Sequence, residues 1–219
     1  MKRPPLYTFL ERIGFRPWAR TVYRISIEGA ERVPKTGPVI LIANHESLID
    51  PWFLALVTPR PVRYMAKAEL FGIAPLRWIM NAFGTFPVER GTGDLTAFTR
   101  GEQLLREGHV LGVFPQGTCL PYRERPWHRG AAKLALRTGA VVIPVAIIGS
   151  ERALRPAKFK LGLPKVRLIV GQPIEVPIAK PTIAGAKELT RAFETAVEEL
   201  REPFGAPAHA WYPEERKVA

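Results

Sequence analysis

The residues of this chain that could do chemistry are concentrated in residues 44–50, which read Asn-His-Glu-Ser-Leu-Ile-Asp. The whole sequence has only two Asn, four His, three Ser and two Asp, and one of each falls in this segment. A carboxylate that accepts a hydrogen bond from one imidazole nitrogen leaves the other nitrogen ready to take a proton. The spacing of His45 and Asp50 therefore predicts a general base and the acid that orients it.

Asp50 also has a purely structural explanation. It stands directly before Pro51, so it fits the N-cap of a helix with proline at the first position. The pattern Ser47-x-x-Asp50 also fits a capping box. Capping has no need of His45, and from the residues alone both interpretations of Asp50 stay open.

Alternating strand and helix patterns surround this segment. Apolar runs bounded by Gly and Pro predict strands at 25–27, 38–43, 62–66, 85–88, 110–114, 141–148 and 166–170. Helical periodicity predicts helices at 48–57, 75–83, 94–107, 130–138 and 183–201. This alternation is typical of a largely parallel sheet flanked by helices, so the predicted fold class is α/β. Residues 44–50 then lie where a core strand turns into a helix.

The chain is predicted to have three parts. Residues 1–24 combine an apolar helical face over 6–13 with interleaved aromatic and arginine side chains. They predict an amphipathic segment at a lipid surface or, equally well, a short helix packed on the domain. Residues 25–202 form the domain, and residues 203–219 an irregular tail. No apolar run is long enough to span a bilayer, so we expect a cytoplasmic protein, peripheral on the inner face of the cell membrane.

The composition is that of a globular protein with excess positive charge. A hydrophobic fraction of 47% with 24% charged residues excludes wholesale disorder. The net charge of +12 favours an anionic partner: a membrane surface, a phosphorylated ligand, nucleic acid or an acidic protein. No Cys/His cluster has zinc-like spacing, so no metal is expected. Twenty-two prolines with few Asn and Ser are typical of a thermophile protein.

Four blocks of the sequence, in order, resemble the glycerolipid acyltransferase family. Residues 44–50 resemble its N-H-x-S-x-x-D signature, and residues 84–90, Gly-Thr-Phe-Pro-Val-Glu-Arg, its G-x-x-P-x-x-R block. Residues 114–118, Phe-Pro-Gln-Gly-Thr, resemble its F-P-E-G-T block, and residues 142–146, Val-Ile-Pro-Val-Ala, its fourth. The likeness covers about residues 24–172.

This resemblance implies a one-step acyl transfer from a thioester to a lipid hydroxyl. His45 would be the general base and Asp50 its orienting acid, with Asn44 and Ser47 as supporting members of the same motif. The residues implied for the acceptor phosphate are Arg90, Gln116, Gly117, Thr118 and Lys67, and those lining the acyl site are Val142, Ile143, Pro144 and Val145. The implied partners are a lysophospholipid acceptor, foremost 1-acyl-sn-glycerol 3-phosphate, an acyl-CoA or acyl-carrier protein donor, and an anionic membrane surface. No cofactor and no nucleic acid are expected.

The chain departs from the family pattern in its third block. Gln116 replaces the usual glutamate, and Cys119 and Leu120 replace a frequent Arg-Ser pair. The reaction type is unaffected, but the acceptor stays open, and a glycolipid or another hydroxylated lipid is the alternative. A Cys119 thiolate nucleophile is a rival mechanism, although a lone cysteine is usually a small buried apolar group.

Functions other than acyl transfer also stay open. A basic nucleic-acid-binding module would use the positive charge, although none of its usual motifs is present. A lipid-binding protein without catalysis would account for Gln116. Arg90 and Lys67 could also be solvated surface cations.

Overall fold

The computed structural model describes residues 9, 14–72, 74–82, 84–88, 95–119, 126–154 and 162–205. The strands in this part of the chain are β1 (Ser26–Glu28), β2 (Val39–Ala43), β3 (Val62–Lys67), β4 (Phe86–Val88), β5 (Val110–Val113), β6 (Val141–Ile148) and β7 (Arg167–Val170). The α-helices are α1 (Phe15–Val22), α2 (Asp50–Leu54), α3 (Ala74–Ala82), α4 (Leu95–Arg106), α5 (Gly130–Thr138) and α6 (Ile183–Arg201). Short 3₁₀ helices lie at Ala30–Arg32, Ala55–Val57, Ala68–Gly72, Ser150–Arg152 and Glu202–Phe204.

The seven strands form one sheet in the order β1-β7-β6-β2-β5-β3-β4. Every neighbouring pair is parallel except β6 and β7, so β1 and β7 run opposite to the other five strands. The predicted α/β class with a largely parallel sheet is confirmed. Because β2, β5, β3 and β6 run the same way, the segments that follow them meet at one edge, the carboxyl edge of the sheet.

The central strands are buried on both faces. All five residues of β2 and all four of β5 are buried, which explains their continuous apolar sequences. On one face the core contains Leu41 and Ala43 of β2 together with Phe53 of α2. On the other face, Ile40 and Ile42 pack with side chains from α4, α5 and α6. Odd and even positions of β2 therefore serve separate cores, and the odd positions lead to residue 45.

The predicted strands are confirmed, each within one residue at either end, and so are the helices at 75–83, 94–107, 130–138 and 183–201. The predicted helix at 48–57 divides into α2 and a 3₁₀ turn. The helix α1 was not predicted, because Gly14 and Pro17, which end helices in most contexts, stand at its start. In the structure Gly14 is the N-cap and Pro17 lies in the first turn, where a helix does not use the missing N–H. Apart from residue 9, the segment 6–13 lies outside the described residues.

Among the described residues, no helix is both long enough and apolar enough to cross a lipid bilayer.

Candidate active site

The site is built from the end of the central strand β2. After Ala43, the Asn44 side chain continues the pairing with β6 in place of backbone: its Nδ2 donates to Ile147 O at 2.8 Å, and its Oδ1 accepts from Ile147 N at 2.8 Å. In the regular ladder Ala43 already pairs with Val145. Asn44 therefore lets the backbone leave the sheet here without exposing buried polar groups of β6.

Asp50 organises the segment that follows. Its Oδ2 lies 2.9 Å from His45 Nδ1 and accepts from the backbone N–H groups of Glu46 and Ser47, each at 2.7 Å. The Asp50 side chain is fully buried, whereas 14% of the His45 side chain is exposed. The carboxylate thus fixes both the segment and the imidazole, and the ring keeps access to the surface.

The capping explanation of Asp50 is wrong. The N-cap of α2 is Ile49, no side chain caps the helix, and Asp50 is its first residue. The alternative of a capping box is also wrong, because the Ser47 hydroxyl donates to Leu154 O at 2.9 Å and accepts from Leu154 N at 3.2 Å. Both side chains point away from the start of α2, and Ser47 ties the segment to the region that follows β6.

The third sequence block touches the same histidine. Gln116 Oε1 accepts a hydrogen bond of 2.6 Å from the backbone N–H of His45. Phe114 stacks its ring on the imidazole, with the ring centroids 4.3 Å apart and the planes inclined by 24°. Sequence reasoning had considered Gln116 only for the acceptor and had given Phe114 no role. The signal available for Phe114 was its place directly after β5, level with the segment that follows β2.

The other residues considered for the acceptor are described less fully. Gly117 has a φ of 71°, and a Cβ built there would lie 3.1 Å from His128 Nε2, so glycine suits this turn. Thr118 follows it and is partly buried. Arg90 lies outside the described residues, and of Lys67 the structure describes only the backbone, at the end of β3. Their contact with a phosphate stays a prediction.

The four residues expected to line the acyl site are buried in β6. Val142 belongs to the core under α5 and α6, whereas Ile143 and Val145 belong to the core under α2. Pro144 is paired with Ile42 in the ladder. In this structure they act as core, and contact with an acyl chain stays a prediction.

Two further acidic residues lie near the His45–Asp50 contact. Glu46 is buried, and its Oε1 is 3.5 Å from Arg201 Nη2 at the end of α6. Burial raises the pKa of the Glu151 carboxyl, and the nearby Asp50 carboxylate acts in the same direction. The neighbouring carboxylate and the burial of Glu151 thus both favour its neutral form.

The fold and the site together define an α/β protein with a histidine and a buried aspartate paired at the carboxyl edge of its sheet. The chain belongs to the Acyltransferase family, whose model matches residues 24–148.

Its relatives include the Arabidopsis thaliana chloroplastic 1-acyl-sn-glycerol-3-phosphate acyltransferase LPAT1, which is 29% identical over 157 residues. That match covers 69% of this chain and 44% of the plant protein. The 1-acyl-sn-glycerol-3-phosphate acyltransferase of Bacillus subtilis is 28% identical over 151 residues, covering 68% and 73%. The chain thus spans less than half of the plant relative.

A solved structure shows the same fold. The 1-acyl-sn-glycerophosphate (LPA) acyltransferase PlsC from Thermotoga maritima superposes with a TM-score of 0.69 at 24% identity. The match covers 88% of this chain and 79% of that chain.

Proposed function

We propose that this protein transfers a fatty acyl group from a thioester to the free hydroxyl of 1-acyl-sn-glycerol 3-phosphate, giving phosphatidic acid. The donor is acyl-CoA or acyl-carrier protein. The observation that carries the proposal is the 2.9 Å contact between His45 Nδ1 and the buried Asp50 Oδ2. Membership of the Acyltransferase family and the names of the relatives support the reaction and the acceptor.

In the proposed reaction His45 acts through Nε2, because Nδ1 is engaged with Asp50. Nε2 takes the proton of the acceptor hydroxyl, and the oxygen attacks the thioester carbonyl carbon. The C–S bond then breaks as the C–O bond is completed, and His45 returns the proton to the departing thiolate. Asp50 remains ionised and stabilises the imidazolium, as an acid in such a pair does. No covalent enzyme intermediate forms, and Cys119 has no part in the transfer.

The acceptor phosphate is held beside the turn that contains Gly117. Arg90 supplies a planar set of donors for phosphate oxygens, and backbone N–H groups near Gly117 approach the anion closely. Gln116 offers the acceptor the N–H groups of its side-chain amide, because its Oε1 already accepts from His45 N. The acyl chain gains about 0.8 kcal/mol for each methylene removed from water.

In this proposal the protein works at the inner face of the cell membrane, where it meets its lipid acceptor. The net charge of +12 attracts it to anionic lipid, and each Lys or Arg near such a surface adds about 1 kcal/mol. The helix α1 supports this view, because Trp18 is 56% exposed and Arg20 is exposed beside it. Tryptophan at a lipid interface can keep its ring among the headgroups.

Replacing His45 tests the proposal. We expect His45→Ala to lower the turnover number by about 10²- to 10⁴-fold, while the melting temperature stays nearly unchanged. His45→Gln is the matched control for the fold, because its amide can still donate to Asp50 but cannot take a proton at neutral pH. Both variants should be inactive in an assay that detects diacyl products by mass. Wild-type turnover in either folded variant would refute the proposal.

A second candidate is the same chemistry on another lipid. The observation that favours it is Gln116, a neutral side chain where the family usually has glutamate. A panel of lysolipids, each offered with acyl-CoA and with acyl-carrier protein, decides between the acceptors and between the donors. The acceptor with the highest kcat/KM is the native class. If no lipid is acylated although each is bound, a lipid-binding protein without catalysis is the better description.

A further inference from the structure

A row of three aromatic rings lies beside the Asp50 contact. His45, Phe114 and Tyr64 belong to segments of the neighbouring strands β2, β5 and β3. The Phe114 ring is stacked on His45, and the Tyr64 ring is stacked further along, with its centroid 6.2 Å from that of Phe114 and an interplanar angle of 12°. Tyr64 is buried and had no role in the sequence prediction.

The row follows from the pleat of the sheet. Side chains two residues apart in a strand lie on the same face. Leu41 and Ala43 of β2 face the core under α2, so residue 45 continues on that face. In β5 the same face is formed by Val110, then position 112, then Phe114.

Glycine at position 112 leaves room for the row. Tyr64 stands directly opposite Gly112 in the parallel pairing of β3 with β5. A Cβ at Gly112 would collide with the Tyr64 ring, with Cδ1 at 2.7 Å. Glycine normally weakens a buried strand. Here it lets the tyrosine ring lie across β5 and reach Phe114.

The tyrosine hydroxyl ties this row to the acid of the pair. Tyr64 Oη donates a hydrogen bond of 2.6 Å to the carbonyl of Pro51, the residue after Asp50 in α2. Tyr64 is therefore linked to His45 through Phe114 and to Asp50 through the backbone of α2. One side chain thus connects both partners of the His45–Asp50 contact.

We infer that Phe114 and Tyr64 are positioning residues that hold the His45 imidazole at the angle required for proton transfer. Asp50 constrains one edge of the ring, but a single contact leaves rotation about it possible. The face of Phe114 removes that freedom, and Tyr64 keeps Phe114 in place. The inference rests on the proposed function where it concerns turnover, but the orientation of the ring can be measured without activity.

The kinetic test compares Phe114→Leu, Tyr64→Phe and Tyr23→Phe. Tyr23 is a buried tyrosine of the same core that packs edge-on against Phe53, so Tyr23→Phe makes the same chemical change away from the row. Aromatic pairs and hydrogen bonds of this kind correspond to about 2- to 13-fold each. We expect kcat to fall about 10-fold in Phe114→Leu and about 3-fold in Tyr64→Phe, with KM changed less than about twofold. Tyr23→Phe should keep the wild-type kcat.

The double variant Tyr64→Phe/Phe114→Leu adds a second requirement. Because the Tyr64 hydroxyl anchors the ring that supports Phe114, the kcat of the double variant should equal that of Phe114→Leu alone rather than the product of the two effects. Multiplicative losses in a folded protein would contradict this order of action.

Nuclear magnetic resonance of the imidazole protons gives a readout independent of turnover. The chain has four histidines, and His45→Gln identifies the signals of His45. The stacked Phe114 ring should shift these signals upfield, and Phe114→Leu should remove the shift while the buried His109 keeps its position. An unchanged His45 signal in Phe114→Leu would overturn the inference, whether or not the wild type transfers acyl groups. Equal kcat values for Tyr64→Phe and Tyr23→Phe would overturn the role of Tyr64.

Discussion

At the scale of single residues, His45 is held from three directions, by one residue close in sequence and two that are distant. Asp50 contacts its Nδ1, Gln116 accepts from its backbone N–H, and Phe114 covers one face of its ring. The first of these contacts spans five positions along the chain, the second 71. The imidazole is thus held in one orientation by the protein itself, which is what its proposed role as a general base requires.

Gln116 offers a test of the acceptor at this scale. Gln116→Glu keeps an oxygen that can accept from His45 N, so we expect the protein to remain folded and active. The added negative charge lies close to the proposed phosphate site, where it should weaken binding of 1-acylglycerol 3-phosphate and raise its KM several-fold.

The measurement is steady-state kinetics on this acceptor and on an uncharged lysolipid, whose KM serves as the control. A marked gain in activity on 1-acylglycerol 3-phosphate would mean that the native acceptor is a different lipid.

At the scale of elements, the end of β2 depends on one asparagine. Asn44 is fully buried and supplies both a donor and an acceptor to Ile147 of β6. Aspartate could not donate to the carbonyl in its ionised form, and an apolar side chain could satisfy neither group. This geometry explains why an amide stands where the central strand ends.

We therefore expect Asn44→Ala to destabilise the fold by about 2 to 4 kcal/mol, because two buried backbone groups of β6 lose their partners. Urea unfolding followed by fluorescence measures the change. The matched control is Asn81→Ala, which removes the other asparagine of the chain from an exposed position on α3. Its effect should stay within about 0.5 kcal/mol. Equal losses of stability in the two variants would contradict the role of the Asn44 side chain in pairing with β6.

The contact between α4 and α5 contains a buried acid. Glu102 of α4 accepts from Arg106 Nη2 at 2.8 Å, and its Oε2 is 2.7 Å from Arg137 Nε of α5. The hydrogen bond from Arg106, together with Arg137, lowers the pKa of Glu102 against the opposing effect of burial. The carboxylate thus joins the two helices in its ionised form.

The pH dependence of stability follows from this lowered pKa. The contribution of Glu102 is fully present above the pKa of an unfolded glutamate, about 4.3, and is lost as the pH falls through the lower folded-state value. We expect Glu102→Gln to be less stable than the wild type at pH 7, with the difference shrinking below about pH 4. Unfolding curves between pH 7 and pH 3 measure this. The exposed Glu199→Gln on α6 is the control, and a pH-independent difference for Glu102→Gln would refute the ionic explanation.

At the scale of the whole molecule, the sheet separates two exposed tryptophans. The backbone of Tyr23, which follows α1, bonds with that of Val166, beside the edge strand β1 and its neighbour β7. The helix α3 comes between β3 and β4 in the chain, and β4 is the strand at the opposite edge of the sheet. Trp18 of α1 is 56% exposed and Trp78 of α3 is 67% exposed. The two side chains therefore serve as independent probes of which side meets a membrane.

We expect binding to vesicles that contain anionic lipid to weaken several-fold as the ionic strength rises from about 0.05 to 0.3 M, because salt screens the net positive charge. Trp18→Ala should weaken the binding further, and Trp78→Ala should leave it unchanged. Sedimentation with vesicles measures both effects, with purely zwitterionic vesicles as the lipid control. Salt-independent binding, or a loss confined to Trp78→Ala, would contradict a membrane role for residues 1–24.

Much of the fold could be predicted from the sequence because its signals are local. The apolar runs of β2 and β5 and the glycines and prolines around them indicate buried strands without any knowledge of their neighbours. The pairing of His45 with Asp50 was also predictable, since both lie in one turn after a strand. The ordered motifs indicated the family for the same reason. The start of α1 was missed because Gly14 and Pro17 break helices in most contexts but suit the beginning of one.

The remaining features were decided by tertiary structure alone. They depend on which strands become neighbours. Among them are the strand order, the reversed direction of β7 and the contact between Asn44 and Ile147, which are 103 positions apart. The row from Tyr64 through Phe114 to His45 is another. A side-chain pattern states which face a residue occupies, but not what lies opposite it. Local periodicity therefore determined the elements and the His45–Asp50 pair, while the pairing of distant strands decided how that pair is held.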